Sequence, residues 1–149
     1  MDLNFILVRQ ISILSTFLGA VLAVLTLVPF IGTISFLFLI CFVAPVVIWI
    51  LLKYDCITMS SVKDGIIAGA IAGFVSYIVF SAVFIPVSII LIKLFNYSPN
   101  YGIGIMLNNA SFFILAVVSV FMGVVGATVN AFTGFLTFYA VELLGSLKK

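Results

Sequence analysis

A chain of 149 residues that is 66% hydrophobic and only 7% charged lacks the polar surface that would cover a soluble domain of this size. Its net charge of +2 rests on six Lys and Arg against four Asp and Glu, too few and too scattered for a nucleic-acid-binding surface. The sequence contains no histidine, which is the commonest metal ligand and general base. This composition predicts an integral membrane protein whose main partner is the lipid bilayer, with no nucleic-acid partner and no cofactor.

Three long uncharged runs divide the chain. They cover residues 10–52, 65–92 and 94–141. Because a bilayer-spanning helix needs about 20 apolar residues, the first run can hold two spans and each of the others holds one. The predicted fold class is therefore an all-α polytopic membrane protein, a single domain over residues 1–149 that forms a bundle of four transmembrane helices. The predicted spans are residues 7–28, 34–52, 63–86 and 109–130.

The first predicted span begins beside Arg9 and ends at a turn. A basic residue before an apolar run is also typical of a signal peptide. A second apolar run follows Pro29 and Gly32 at once, so we expect a retained helix.

Proline cannot donate a backbone hydrogen bond. Pro45 therefore predicts a kink in the second span, which lipid tolerates where neighbouring helices or side chains satisfy the freed carbonyl.

The third predicted span follows the most polar loop of the chain. Ser60 and Ser61 are candidate N-caps for it. Asp64 suits the first turn, where a negative charge interacts favourably with the helix dipole. The helix has the length to continue as far as Phe95, with a kink at Pro86.

The last predicted span follows a turn-rich segment at 96–104, which predicts a loop, and begins near Asn109. Residues 131–149 are open to three arrangements: a continuation of the last helix, an interfacial helix, or a short fifth span. Glu142 disfavours deep burial of this tail, because a carboxylate in hydrocarbon costs several kcal/mol.

The basic residues predict the orientation of the chain, since the side of a membrane richer in Lys and Arg faces the cytoplasm. In a four-span arrangement only Lys93 falls on the outer side. We therefore expect a protein of the cytoplasmic (inner) membrane with both termini in the cytoplasm. A fifth span would move the two C-terminal lysines outside, so four spans are preferred. The basic residues expected inside are Arg9, Lys53, Lys63, Lys148 and Lys149.

Side chains suited to catalysis are scarce. The acidic residues are Asp2, Asp55, Asp64 and Glu142, and none lies near the middle of a predicted span. No paired carboxylates, nucleophile–histidine pair, phosphate-binding loop or zinc motif can be assembled from the sequence. We therefore expect no enzyme and predict no catalytic, cofactor-binding or metal-binding residues. A proton-coupled transporter normally needs a carboxylate at membrane depth, and Glu142 is the sole candidate.

Asn130 is the second candidate functional polar residue, because an amide within or near a span seeks hydrogen-bond partners. Two interpretations are open. The side chain either bonds to a neighbouring helix, a contact worth about 1 kcal/mol, or lines a pore or ligand site.

Small residues spaced by four form the most informative pattern in the chain. Such rows lie on one helix face and let backbones approach closely in lipid. They occur in the first, third and fourth predicted spans, and the topology places all of them towards the cytoplasmic side. These three spans should pack most tightly there. The predicted contact residues are Gly19, Gly65, Gly69, Gly73, Gly123 and Gly126.

The second predicted span lacks such a row, so we expect it outside this core, with Phe36, Phe38 and Phe42 facing lipid or a partner. On the outer side, bulky residues should hold the helices apart and leave a cavity that opens outward. These residues are Phe80, Phe84, Phe112 and Phe113.

The patterns together favour a non-enzymatic integral membrane protein that acts by assembly. It would be a structural or accessory subunit of a larger membrane complex, or a self-associating homo-oligomer. The alternative is a small transporter or channel formed by one or more copies. A subunit should co-purify with other membrane proteins, whereas a transporter should change flux in liposomes.

Overall fold

The computed structural model describes residues 5–57, 59, 61–98 and 100–146, and within these ranges every regular element is an α-helix. Expectations that concern Asp2, Ser60, Lys148 and Lys149 fall outside the described residues. The six helices are α1 (Phe5–Thr26), α2 (Ile31–Cys41), α3 (Val43–Lys53), α4 (Val62–Phe95), α5 (Tyr101–Asn109) and α6 (Phe112–Ser146).

Helices α1, α4 and α6 are each long and apolar enough to cross a membrane. Helices α2 and α3 have the same apolar character, but each has only 11 residues and they meet at a bend of 65°. At 1.5 Å per residue, two such helices with this bend extend about 28 Å end to end, close to the thickness of a hydrocarbon core. The chain is therefore an all-α membrane protein with three spans, or four if the bent pair counts as one.

The bundle has two recognisable ends. The basic end carries the exposed side chains of Lys53 and Lys63, where α3 ends and α4 begins. The far end contains the turn between α1 and α2 and the loop that follows α4. A hydrogen bond joins these two segments, because the hydroxyl of Tyr97 donates to the carbonyl of Leu27 at 2.9 Å.

The break between α2 and α3 changes the packing that the sequence predicts. The second span was expected as one helix outside the core, kinked at Pro45. The break lies at Phe42, in the turn before Pro45, where the proline ring meets the carbonyl of residue i−4. Its place in the bundle differs from the expectation, because α3 lies in the core with Val43, Val47 and Ile48 fully buried. Phe36 is half-buried against Tyr77 and Phe80, so the expectation that the α2 phenylalanines face outward is wrong for this residue. The physical reason is an aromatic contact between α2 and α4, where the Phe36 ring meets the rings of Tyr77 and Phe80.

Helix α4 begins where the sequence predicts, with Ser61 as its N-cap, and the structure adds a capping box with Asp64. The backbone N–H of Ser61 donates to the carboxylate of Asp64 at 3.0 Å, and the Ser61 side chain accepts from the first turn. The helix continues through Pro86 to Phe95, so its 34 residues exceed the predicted span at the far end.

The far end also contains a helix that the sequence does not predict. Helix α5 occupies part of the predicted loop and is capped by Asn100, whose side-chain oxygen accepts from the N–H of Gly102 at 2.9 Å. Helix α6 starts at Phe112 and is continuous to Ser146, so the described part of the tail continues the last helix. Phe112 and Phe113 are exposed and do not separate the helices, contrary to expectation.

Candidate functional site

The break between α2 and α3 is occupied by a side chain from α6. Asn130 is fully buried, and its Oδ1 accepts a hydrogen bond from the backbone N–H of Ala44 at 2.9 Å. Its Nδ2 donates to the carbonyl of Ile40 at 2.8 Å. In a continuous helix, Ala44 would donate directly to Ile40. The Asn130 amide therefore stands inside the hydrogen-bond ladder of the second span, an arrangement known to bend helices sharply.

The same amide makes two further contacts, one on α6 and one on α2 before the break. Its Nδ2 also lies 3.0 Å from the carbonyl of Gly126, one turn back on α6, and 3.3 Å from the carbonyl of Leu39. Of the two interpretations from the sequence, the structure shows the interhelical hydrogen bonds. Asn130 does not line the cavity described below.

Glycines make room for this amide at the contact between α4 and α6. The two helices run antiparallel, with Gly65 against Gly134, Gly69 against Asn130 and Gly73 against Gly126. A Cβ on Gly73 would lie 2.6 Å from the Cβ of Asn130, and a Cβ on Gly69 would overlap the Asn130 carbonyl. Helix α4 can thus approach only because these positions have no side chain.

The other predicted contact glycines have different surroundings. A Cβ on Gly19 of α1 would overlap the carbonyl of Ser76, so α1 meets the α4 backbone there. Gly123 and Gly126 face side chains instead: the end of Ile78 at 3.1 Å and the ring of Tyr77 at 3.2 Å, measured from the added Cβ. The six glycines that the sequence predicts at the contacts between α1, α4 and α6 are all buried.

A cavity of about 490 Å³ occupies the far half of the bundle. Its wall comes from the turn and α2 (26–36), α4 (77–85), α5 (100–107) and α6 (115–122). Helix α5, absent from the sequence prediction, closes one side. Most of the lining is aromatic or aliphatic, including Phe36, Phe80, Phe84 and Met122. Among the described residues, no acidic or basic side chain lines it.

Among the described residues, six polar side chains line the cavity. Thr33 and Asn100 are exposed, and the Asn100 side chain accepts from Gly102. Thr26 and Ser119 donate to the carbonyl one turn back on their own helices, at 2.7 and 2.8 Å, and are satisfied there. Tyr77 and Ser81 behave differently. Each is more than nine-tenths buried, and within the described ranges neither hydroxyl forms a hydrogen bond.

The rim of the cavity includes the turn that the Tyr97–Leu27 hydrogen bond holds. Phe30, in this turn, has a φ of 66°, a left-handed conformation that bulky residues rarely adopt, and its side chain is 94% exposed.

Glu142 lies elsewhere, exposed on α6 beyond Asn130 towards the basic end. The structure therefore does not bring the two candidate polar residues, Asn130 and Glu142, into one site.

Sequence reasoning identified Asn130 but not the cavity hydroxyls. Tyr77 and Ser81 are four residues apart in an uncharged run, so they lie on one helix face. That spacing was a usable signal.

Comparisons with protein-family models, with curated proteins and with solved structures give no match. Across the described residues, no group of three or more His, Cys, Asp or Glu could hold a metal ion.

Proposed function

We propose that this chain is a non-enzymatic membrane carrier that binds a neutral, largely apolar molecule in the cavity between α2, α4, α5 and α6. The observation that supports the proposal is the cavity of about 490 Å³ with an uncharged, mainly aromatic and aliphatic lining among the described residues. Ligand sites typically have volumes of about 300–1,000 Å³ and such a lining.

The lack of charge in this lining favours a neutral ligand. A charged group in an apolar cavity would lose its hydration without gaining a counter-ion. Coupling to protons through a carboxylate in the cavity is also disfavoured, since no described acidic residue lines it and the candidate Glu142 lies on another part of α6. We expect a carrier driven by the ligand gradient.

The proposed orientation places the protein in the cytoplasmic membrane with the basic end inside. The exposed Lys53 and Lys63 then face the cytoplasm, in agreement with the positive-inside rule. Lys53 lies over the ring of Trp49 at 5.3 Å, an arrangement suited to the headgroup level. In this orientation the cavity belongs to the outer half of the membrane.

Photolabelling in nanodiscs tests the proposal. A medium-chain alkane carrying a diazirine group would be activated, and the labelled peptides mapped by mass spectrometry. We expect labels on the cavity residues Phe80, Phe84 and Met106. Ser119→Phe should remove these labels by filling the cavity, whereas Ala116→Phe should not, because Ala116 is exposed on the same helix outside the lining.

Two results would count against this function. The first is labelling confined to outward residues such as Phe121 and Phe132, which is the pattern of a probe dissolved in lipid. The second is flux of the unlabelled compound across proteoliposomes at the rate of empty vesicles. The first result excludes binding in the cavity, and the second excludes carriage.

A second candidate function is assembly, as a homo-oligomer or as a subunit of a larger complex. One face of α1 favours it. The row Ser15, Gly19 and Ala23 packs inside the chain, while the neighbouring row contains the exposed Thr16. A small polar residue on a lipid-facing surface suits contact with another helix. Thr16→Leu should shift the particle mass in native mass spectrometry to the monomer, and an unchanged mass would reject this interface.

A further inference from the structure

Two buried hydroxyl groups in the cavity have hydrogen-bonding capacity that the described residues do not use. Tyr77 and Ser81 are 6% and 7% exposed, and no hydrogen bond to either hydroxyl occurs in the described part of the chain. Polar groups buried in apolar surroundings are normally paired with protein groups, water or a ligand. The two hydroxyls are therefore available to a molecule in the cavity.

Two other buried serines show how the hydroxyls of Tyr77 and Ser81 differ from enclosed hydroxyls elsewhere in the bundle. The hydroxyls of Ser15 and Ser88 are fully enclosed, have no hydrogen-bond partner among the described residues and do not line this cavity. Tyr77 and Ser81 line the cavity, and their oxygens are not among the sealed atoms. Ser81 and Ser88 lie on the same helix seven residues apart, so the difference comes from the cavity and not from the residue type.

The two hydroxyls form one buried polar spot on a mainly apolar wall. They are one turn apart on α4 and so share a helix face. The rings of Phe36 and Phe80 lie within 6.3 and 5.8 Å of the Tyr77 ring, between centroids, and Phe84 stacks on Phe80. A bound molecule would meet hydrogen-bonding groups at Tyr77 and Ser81 and apolar surface around them.

We propose that the cavity selects neutral amphiphiles that carry a hydroxyl or carbonyl group, with Tyr77 and Ser81 as its specificity-determining residues. A hydroxyl donates well to a carbonyl and accepts from an alcohol, so both ligand types suit the pair. The apolar body of the ligand extends past Phe80 and Phe84 towards α5. This inference rests on the proposed function, because it names the ligand class of the same cavity.

Paired photoprobes test the ligand class. Two diazirine probes of equal chain length are compared in nanodiscs, one a plain alkane and the other a primary alcohol. We expect the alcohol to label Phe80, Phe84 and Met106 at about fivefold lower concentration, the advantage of about one additional hydrogen bond. Equal labelling of the cavity by both probes overturns the inference but leaves the proposed function standing. Labelling of the cavity by neither probe overturns both.

Conservative variants locate the polar contact. Tyr77→Phe and Ser81→Ala should each reduce labelling by the alcohol towards the level of the alkane, with alkane labelling unchanged as evidence that the cavity is intact. Ser88→Ala and Tyr139→Phe are the matched controls, because they remove a hydroxyl outside the lining. The inference is rejected if the alcohol keeps its advantage in both cavity variants, or if the controls lose it equally.

Discussion

The side-chain oxygen of Asn130 lies 2.9 Å from the backbone nitrogen of Ala44, and this hydrogen bond joins α6 to the first turn of α3. The first N–H groups of a helix have no partner within it. At membrane depth, water cannot supply that partner. Asn130 does so for Ala44, and its Nδ2 serves the carbonyl of Ile40 on the other side of the break.

Asn130→Ala should therefore destabilise the bundle. It leaves the N–H of Ala44 and the carbonyl of Ile40 without partners, and we expect a loss of about 1–3 kcal/mol in the free energy of unfolding. Unfolding in mixed micelles with increasing sodium dodecyl sulfate measures the change. Asn109→Ala is the matched control, because the Asn109 amide is exposed and bonds only to Ile105 on its own helix. Equal stabilities of the two variants would contradict the structural role of Asn130.

Gly69→Ala and Gly123→Ala should have different effects on the free energy of unfolding. A Cβ on Gly69 would overlap the backbone of Asn130, which cannot move without shifting α6. We expect a loss of about 1–3 kcal/mol, the usual scale of overpacking. A Cβ on Gly123 would meet the flexible end of Ile78 at 3.1 Å, so the higher helix propensity of alanine should offset most of the strain. The same unfolding assay compares them, and a more stable Gly69→Ala protein would refute the close contact.

Cys56 provides a test of the proposed orientation. Its thiol is exposed in the loop between α3 and α4, at the basic end. An impermeant maleimide should label it in inverted membrane vesicles and not in intact cells. Cys41, half-buried beside the break, should react only after denaturation. Labelling of Cys56 in intact cells would reverse the orientation, and a Cys56→Ser variant identifies the labelled site.

Glu142→Gln should leave membrane insertion, stability and cavity labelling nearly unchanged. The side chain is exposed on α6, about 18 Å along the helix axis from Asn130 and farther from the cavity. We expect a stability change within about 0.5 kcal/mol, as for most surface substitutions. A strong, pH-dependent loss of flux in proteoliposomes would instead make Glu142 part of a transport mechanism and contradict a carrier without proton coupling.

The sequence was sufficient for the all-α membrane fold, which the structure confirms. Long uncharged runs leave helices as the simplest way to pair backbone groups in lipid. The turn before Pro45 was predictable as the place of a kink, but the size of the bend at Phe42 and the group that fills it were not. The amide that pairs the backbone groups on either side of the break comes from α6, which is distant in sequence.

Helix α5 was missed for a local reason. Gly102 and Gly104 lower its helix propensity, and a side-chain cap at Asn100 favours a helix over a loop. The cavity was also only partly predictable. Phe80 and Phe84 do line it, but the wall that α5 contributes and the unused hydroxyls of Tyr77 and Ser81 depend on how helices distant in sequence meet.

The hydrogen bond between Ala44 and Asn130 spans 86 positions of the chain and so bears on the order of events during biosynthesis. A ribosome releases the second span into the membrane well before it has synthesised α6. Until then, the groups on either side of Phe42 lack the amide that separates them in the finished protein. The hydrogen bonds that hold the bend of the second span therefore form late, when the last helix inserts, and a chain that stops before residue 130 cannot make them.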